Sequence, residues 1–217
     1  MSRAPSDIVV SYNDCILRKE DVHLLEGPYW LNDAVIGFYF EYLSQKYKYS
    51  RTSLLFISPE LTQLLKLTDS HEYRDFLDPL DAKFKHYIFF PLNDCNSRSS
   101  AGGSHWSLIV FSKFDKTCFH FDSSNGMNSY VARSFSRDIM NYLLDRNSGH
   151  YIEVECPHQE NGYDCGLFVL CFSETVGEYL VQGRGDKIED CKYDNVKKLV
   201  SEKRRSLLSL IDRLRRT

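Results

Sequence analysis

The spacing of apolar positions predicts several helices along the chain. After Asn32-Asp33, which can cap a helix N-terminus, apolar residues recur every three or four positions as far as Tyr47. Ser58-Pro59 is a second start, with a capping side chain followed by proline at the first helical position. The same analysis predicts a short helix over 71–77, an amphipathic helix over 128–144, a long apolar helix over 165–181 and a charged helix over 195–215.

Short runs rich in aromatic and β-branched residues predict strands between these helices. The runs cover residues 7–12, 87–92, 105–111, 117–121 and 151–156. A tight turn around 113–116 joins two of them, and the polar segment 93–104 precedes the third. This order of elements predicts an α+β fold in which helices flank a small mixed sheet, with residues 1–217 forming one domain.

Composition narrows the class of protein. With 42% hydrophobic residues the chain can bury a substantial core, so we expect no intrinsic disorder. The net charge of −3 does not favour nucleic acid or an anionic membrane, and no run approaches the roughly 18 apolar residues of a membrane helix. No long apolar stretch follows the N-terminal residues, so we expect no signal peptide.

The seven cysteines are odd in number and include no Cys-x-x-Cys pair. This spacing argues against a zinc knuckle and a thioredoxin-like site, and we expect no metal or other cofactor. Free thiols in a reducing compartment, the cytoplasm or the nucleus, are the expectation. At least one thiol is then available as a nucleophile.

Cys165 is the candidate nucleophile because it stands where a polar loop becomes an apolar helix. The unpaired backbone amides and the dipole at a helix N-terminus favour a thiolate there. Most cysteines are inert core residues, and Cys171, deeper in the same helix, fits that description. The position of Cys165 and its neighbours distinguish it from Cys171.

A cysteine nucleophile needs a base and a group that orients the base. His105 begins one predicted strand and Asp122 ends the next, so in an antiparallel hairpin both lie at the same edge of the sheet. His120 is the rival base, but it lies two residues from Asp122 on one strand, about 7 Å away by strand rise. We therefore predict His105 as base, Asp122 as its partner and a structural role for His120.

Gln159 is a candidate oxyanion donor because acyl transfer places negative charge on a carbonyl oxygen. Its amide and the backbone N–H of Cys165 would stabilise that charge, at about 3 kcal/mol for one donor. An ordinary loop glutamine is the alternative interpretation, which spacing does not exclude. Metal binding by Cys156, His158 and Cys165 is a further alternative, disfavoured because a second closely spaced ligand pair is missing.

Taken together, four motifs resemble the Ulp/sentrin-specific cysteine proteases, relatives of the adenoviral protease. They are Trp-Leu-Asn-Asp at 30–33, His-Trp-Ser at 105–107, Asp-Ser at 122–123 and Gln-x-Asn-x-x-Asp-Cys-Gly at 159–166. The resemblance implies a papain-like, adenain-like fold and catalytic roles for His105, Asp122, Gln159 and Cys165. It also implies cleavage after the C-terminal Gly-Gly of a ubiquitin-like modifier, which would be the partner.

The resemblance also implies substrate-binding residues, namely Trp30, Asp33, Trp106, Gly102 and Gly103. The two indoles would form walls of a narrow tunnel that only glycines can pass, although ordinary packing is an equal alternative for Trp106. The Gly102-Gly103 loop before the histidine resembles the deneddylase branch of the family, whose modifier is the neddylation modifier. A SUMO-specific protease is the alternative, since SUMO-specific members generally have a shorter connection there.

Two further alternatives remain open, an acyltransferase of the bacterial effector type and a non-catalytic binder of ubiquitin-like tails. The basic run in residues 197–216 invites a nucleic-acid hypothesis, but its interleaved leucines indicate a packed amphipathic helix with a solvated charged face. We therefore expect a monomeric enzyme without a nucleic-acid or membrane partner.

Overall fold

The computed structural model describes residues 7–97, 102–145, 148–183 and 187–216. A two-stranded antiparallel ribbon opens the chain, formed by β1 (Ile8–Tyr12) and β2 (Cys15–Arg18), and the short helix α1 (Lys19–His23) follows. No helix or strand is predicted from the sequence for residues 18–21. In the structure they end β2 and begin α1, where Asp21 is buried and accepts bonds from the Arg18 backbone and the Asn32 amide.

Helices α2 (Asp33–Tyr47) and α3 (Pro59–Lys66) begin at the predicted caps. The Asn32 side chain accepts from the Val35 backbone at 3.1 Å, and Ser58 Oγ accepts from the Leu61 backbone at 3.2 Å. Each cap satisfies a backbone donor that the first helical turn leaves unpaired. Between them lies β3 (Leu54–Phe56), which the sequence analysis missed because the strand is only one short apolar run.

A five-stranded mixed sheet occupies the centre of the fold, in the order β3-β4-β5-β6-β7. Its other strands are β4 (Tyr87–Asn93), β5 (Trp106–Ser112), β6 (Thr117–Phe121) and β7 (His150–Glu153). The three central strands pair antiparallel, whereas β3 and β7 pair parallel to their neighbours at the two edges. The last strand is shorter than predicted and ends three residues before Cys156.

Helices cover both faces of this sheet, which is why β5 and β6 are buried along their whole length. One face of the sheet is covered by α2 and by α6 (Cys165–Val181). The cross-strand neighbours Phe89, Val110 and Phe119 pack on this face. The opposite face packs against α4 (Tyr73–Leu77) and α5 (Ser129–Leu143). The C-terminal helix α7 (Val196–Arg215) lies outside α6, and α6 is therefore buried on most sides.

Within the described residues, no helix combines the length and the apolar character needed to cross a bilayer.

Candidate active site

His105 and Asp122 meet at one edge of the central sheet, as the hairpin geometry predicts. His105 immediately precedes β5 and Asp122 immediately follows β6, and these strands pair antiparallel. The Nε2 atom of His105 lies 2.6 Å from Asp122 Oδ1. Both residues are buried, so the pair is shielded from water, which strengthens its electrostatic interaction.

Asp122 is held as a carboxylate by the loop that follows it. Its Oδ1 accepts from the Ser124 backbone and its Oδ2 from the Asn128 backbone, each at 2.8 Å. Burial alone would raise the pKa of Asp122, but the hydrogen bonds from His105, Asn128 and Ser124 outweigh it and lower that pKa below its ordinary value. Because a carboxylate only accepts, His105 donates from Nε2.

The imidazole of His105 lies between the Asp122 carboxylate and the Cys165 thiol. Burial lowers the pKa of His105, but hydrogen bonds with Asp122 and Cys165 prevail and raise it to about 9. With Nε2 directed at Asp122, Nδ1 is the ring nitrogen left for the sulfur of Cys165. This geometry allows the ring to take a proton from the thiol and to remain charged beside the resulting thiolate.

Cys165 is the first residue of α6, so its sulfur lies at the positive end of a long helix. All seven cysteines are free. Burial raises the pKa of the Cys118 and Cys171 thiols to about 12, which keeps them protonated and unreactive at neutral pH. The structure thus separates Cys165, in contact with a histidine, from the core thiols.

Gln159 is held by hydrogen bonds to its side chain and to its backbone. Ser123 Oγ donates to its Oε1 at 2.7 Å, and the Gln159 backbone donates to the Ser123 carbonyl at 2.8 Å. The amide Nε2 therefore forms the opposite end of the side chain and donates to the Asn161 carbonyl at 2.6 Å. An amide NH₂ carries two hydrogens, and the bond to Asn161 uses one of them.

His120, the rival base, contacts a carboxylate on the neighbouring strand β7. It is fully buried, and its Nδ1 contacts Glu153 Oε2 at 2.7 Å. Burial would raise the pKa of Glu153, but the hydrogen bonds from His120 and Tyr151 lower it to about 2. His120 thus takes part in a structural contact between β6 and β7. The residues of the disfavoured metal alternative, Cys156, His158 and Cys165, form no cluster that could hold a metal ion within the described part of the chain. Cys156 Sγ is buried against the Asp122 carbonyl, and His158 is exposed.

A cleft of about 740 Å³ opens in front of His105 and Cys165. All five substrate-binding residues suggested by the family resemblance line it, namely Trp30, Asp33, Gly102, Gly103 and Trp106. The Trp30 indole is half exposed and donates to the Gly162 carbonyl at 2.5 Å, whereas the Trp106 indole is buried and donates to the Leu31 carbonyl at 3.1 Å. The two rings are therefore fixed by backbone acceptors on the cleft wall.

The loop before His105 is anchored by Asp94, a residue that the sequence analysis did not single out. Its Oδ1 accepts from the backbones of Ser104 at 2.6 Å and His105 at 3.1 Å. Gly103 has a φ of +92°, and a Cβ there would collide with the Asn93 side chain, so this position requires glycine. The preceding loop residues 98–101 lie outside the described residues.

The prediction of a solvated basic face on α7 was wrong at two positions. Lys203 is buried, and its Nζ donates to Glu174 Oε2 at 2.5 Å and to the Tyr39 hydroxyl at 3.1 Å. Arg204 is largely buried as well and contacts Asp164, the residue before Cys165. Sequence periodicity did not find these contacts because the partners are distant in the chain.

Several supporting residues became apparent only in the structure. Asn128 contacts Asp122, and Asp94 contacts the backbone of His105. Arg204 contacts Asp164 from the C-terminal helix. Asn161 and Asp164 belong to the motif that carried the resemblance, but the sequence assigned them no role. Their membership of that motif is the sequence signal that could have identified them.

A thiol at a helix N-terminus, a buried imidazole and a carboxylate, set beside a mixed sheet, define a cysteine peptidase. The family model described as "Ulp1 protease family, C-terminal catalytic domain" matches residues 29–208. The chain therefore belongs to the Ulp1 family of cysteine proteases.

Relatives in the same family cover most of the chain. Sentrin-specific protease 8 of Rattus norvegicus is 41% identical over 176 residues, which span 80% of this chain and 81% of the rat protein. NEDD8-specific protease 1 of Arabidopsis thaliana is 33% identical over 214 residues, with coverage of 96% and 94%.

Solved structures agree with the predicted fold class. The C-terminal Ulp1 protease domain in complex with Smt3, the yeast ortholog of SUMO, superimposes with a TM-score of 0.71 at 23% sequence identity. The comparison covers 94% of this chain and 86% of that domain. The α+β, adenain-like architecture is thereby confirmed.

Proposed function

We propose that this protein is a deneddylase, which cleaves after the C-terminal Gly-Gly of the neddylation modifier NEDD8. The observation that carries the proposal is the contact of His105 with both Asp122 and Cys165, at the end of a cleft lined by two tryptophans. The similarity to a NEDD8-specific protease over nearly the whole chain supports the choice of modifier. Both precursor processing and release of the modifier from lysine side chains use this reaction.

In the proposed mechanism, His105 takes the proton of Cys165 through Nδ1, and the thiolate attacks the carbonyl carbon of the terminal glycine. The carbonyl oxygen becomes an oxyanion, which the Gln159 amide and the Cys165 backbone N–H stabilise. His105 then protonates the leaving amine, the C–N bond of the tetrahedral intermediate breaks, and the acyl group stays on Cys165 as a thioester. Water, deprotonated by His105, hydrolyses the thioester and releases the modifier with a free carboxylate, while Asp122 keeps the ring in one tautomer.

The cleft supports a substrate tail without side chains. Trp30 and Trp106 present flat rings whose positions are fixed by hydrogen bonds to the Gly162 and Leu31 carbonyls. An extended Gly-Gly segment can pass beside an indole that a Cβ would strike. Gly102 and Gly103, both exposed, line the same opening and leave it free of side chains on that side.

SUMO remains the second candidate modifier, because the superimposed Ulp1 domain carries the SUMO ortholog Smt3. Modifier choice depends on surfaces outside the Gly-Gly channel, since the terminal diglycine is common to the proposed substrates. An acyltransferase with the same residue order is the alternative from another enzyme class. It would transfer an acyl group from a thioester donor instead of hydrolysing a peptide bond.

Probes with a C-terminal electrophile test this proposal. The protein is incubated with NEDD8, SUMO and ubiquitin probes, and Cys165→Ala is the inactive variant. We expect a covalent adduct with the NEDD8 probe on Cys165, and none with Cys165→Ala. Cys15→Ala is the matched control because Cys15 is partly exposed and outside the site.

The outcomes separate the alternatives. Adducts with the SUMO probe alone would refute the choice of modifier. Absence of every adduct, together with consumption of acetyl-CoA, would refute the protease function and favour the acyltransferase. Retained labelling in Cys165→Ala would show that another thiol is the nucleophile.

A further inference from the structure

Arg204, on the C-terminal helix α7, binds three separate parts of the active-site region. Its Nη1 donates to the Leu24 carbonyl at 2.6 Å, and its Nη2 donates to the Tyr29 carbonyl at 2.9 Å and to Asp164 Oδ1 at 2.8 Å. Leu24 and Tyr29 flank the segment that leads into Trp30. The guanidinium therefore connects a cleft wall to the residue that precedes the nucleophile.

The carboxylate of Asp164 is bound at both oxygens. Arg204 contacts Oδ1, and the Asn161 amide donates to Oδ2 at 2.8 Å. The Asn161 side-chain oxygen in turn accepts from the Asp164 backbone at 3.0 Å. Asp164 is thus fixed through its side chain and its main chain.

This anchoring matters because Asp164 and Cys165 share a peptide unit. The ψ angle of Asp164, 5°, sets the direction of the Cys165 N–H, which is the backbone donor of the proposed oxyanion hole. A rotation at Asp164 would turn that N–H away while leaving the sulfur attached to the same helix. Asn161 also accepts from the Gln159 amide, so the same cluster holds the second donor.

We propose that Arg204 and Asp164 are positioning residues that fix the two oxyanion donors, Gln159 and the Cys165 N–H, relative to the cleft wall at Trp30. This inference rests on the proposed function, because it assigns these residues to the stabilisation of the oxyanion. Neither side chain lines the cleft. The two act through the loop 159–165, and α7 thereby becomes part of the catalytic support.

The Arg204–Asp164 ion pair is strengthened by its partial burial. The side chains of Arg204 and Asp164 are 18% and 16% exposed, so their interaction is screened much less than a surface ion pair. A planar guanidinium can serve several acceptors at once, whereas a lysine ammonium is a single point charge. Arg205, the next residue, is exposed and supplies a matched control.

The test compares two reactions of Cys165. Cleavage of a modifier–amide substrate passes through an oxyanion, whereas alkylation by iodoacetamide displaces iodide from carbon without forming one. The variants are Arg204→Met, Arg204→Lys and Asp164→Asn, with Arg205→Met as control. The kcat is measured on the amide substrate, alkylation of Cys165 is followed by peptide mass spectrometry, and melting temperatures identify variants that do not fold.

We expect Arg204→Met and Asp164→Asn to lower kcat about 10- to 100-fold while the alkylation rate of Cys165 stays within about 3-fold of wild type. Arg204→Lys should recover only part of the loss. The double variant Arg204→Met/Asp164→Asn should lose no more kcat than the worse single variant, because both substitutions break the same Arg204–Asp164 contact.

The inference is overturned if a folded Arg204→Lys or Asp164→Asn retains the kcat of Arg205→Met. It is also overturned if alkylation falls in parallel with kcat, because the thiol itself would then be disturbed. Failure of the proposed function is distinguishable from both results, since the wild-type protein would then cleave none of the modifier substrates.

Discussion

The backbone nitrogen of Asn128 donates to Asp122 Oδ2 across 2.8 Å, from the loop that leads into α5. The side chain of the same residue donates to Ser107 Oγ at 3.0 Å and to the His105 carbonyl at 3.3 Å. Asn128 is completely buried. One residue therefore connects the Asp122 carboxylate to the backbone of His105 and to Ser107 on β5.

Replacing Asn128 with alanine should destabilise the fold and slow catalysis. The substitution keeps the backbone donor to Asp122 but leaves Ser107 and the His105 carbonyl without the buried amide, at a cost of about 1–3 kcal/mol. Urea denaturation measures the loss, and kcat on a modifier–amide substrate measures the displacement of His105. Asn141→Ala, at an exposed position on α5, is the control. Equal urea midpoints for the two variants would contradict the prediction.

The charge on His105 should make stability fall as pH rises. Its pKa in the folded protein is about 9, above the ordinary 6.5, because the bonds to Asp122 and Cys165 outweigh burial. The stability that the protonated ring contributes is therefore complete below about pH 6.5, declines above it and is lost as pH passes about 9.

The measurement is the free energy of unfolding of the wild type minus that of His105→Gln, from about pH 6 to pH 10, an interval that spans both pKa values of the histidine. Subtraction removes the titration of groups common to both proteins. We expect the difference to shrink with increasing pH. A difference that stays constant or grows would show that the ring is neutral in the folded protein.

Gln159→Glu should remove the side-chain donor that we propose for the oxyanion and keep the rest of the residue. A carboxylate can still accept from Ser123 Oγ, but it lacks the NH₂ group and adds a negative charge near the oxyanion. We expect kcat to fall by about 100-fold or more, with a much smaller change in KM. Gln182→Glu, at the exposed end of α6, is the matched control. If both variants turn over at the same rate, Gln159 is an ordinary loop residue.

Lys203→Ala should destabilise the packing of α7 on the core. Its buried ammonium binds Glu174 and Tyr39 and lies 4.8 Å from the Tyr39 ring centroid. Its removal leaves the Glu174 carboxylate short of a buried partner, at a cost of about 3 kcal/mol. Chemical denaturation should show this loss for Lys203→Ala but not for Lys198→Ala, whose side chain is exposed on the same helix. Comparable losses in the two variants would mean that the lysine is solvated.

Much of the active site was predictable because its elements are local or follow from hairpin geometry. The Asn32 and Ser58 caps predicted the starts of α2 and α3, and the apolar run after Cys165 predicted α6 with Cys165 as its first residue. His105 and Asp122 were paired correctly because an antiparallel hairpin brings the start of one strand to the end of the next. His120 was excluded for another geometric reason, since side chains two residues apart on one strand stand about 7 Å apart.

The supporting contacts could not be predicted, because each joins residues far apart in the chain. The basic residues of α7 have the composition of a solvated helix face, and only packing against α6 buries Lys203 and directs Arg204 towards Asp164. The short β2 and β3 strands were missed because their pairing partners, not their own few residues, stabilise them.

The sequence by itself determined the kinds of groups available for catalysis and the helices and strands that carry them, because caps, periodicity and turn lengths act over a few residues. Only the tertiary structure decided which charges are buried and which atoms meet. Burial and hydrogen bonding set the charge states of His105 and Asp122, and a helix from the far end of the chain fixes the residue before Cys165. Both effects depend on distances in space, which a linear pattern does not encode.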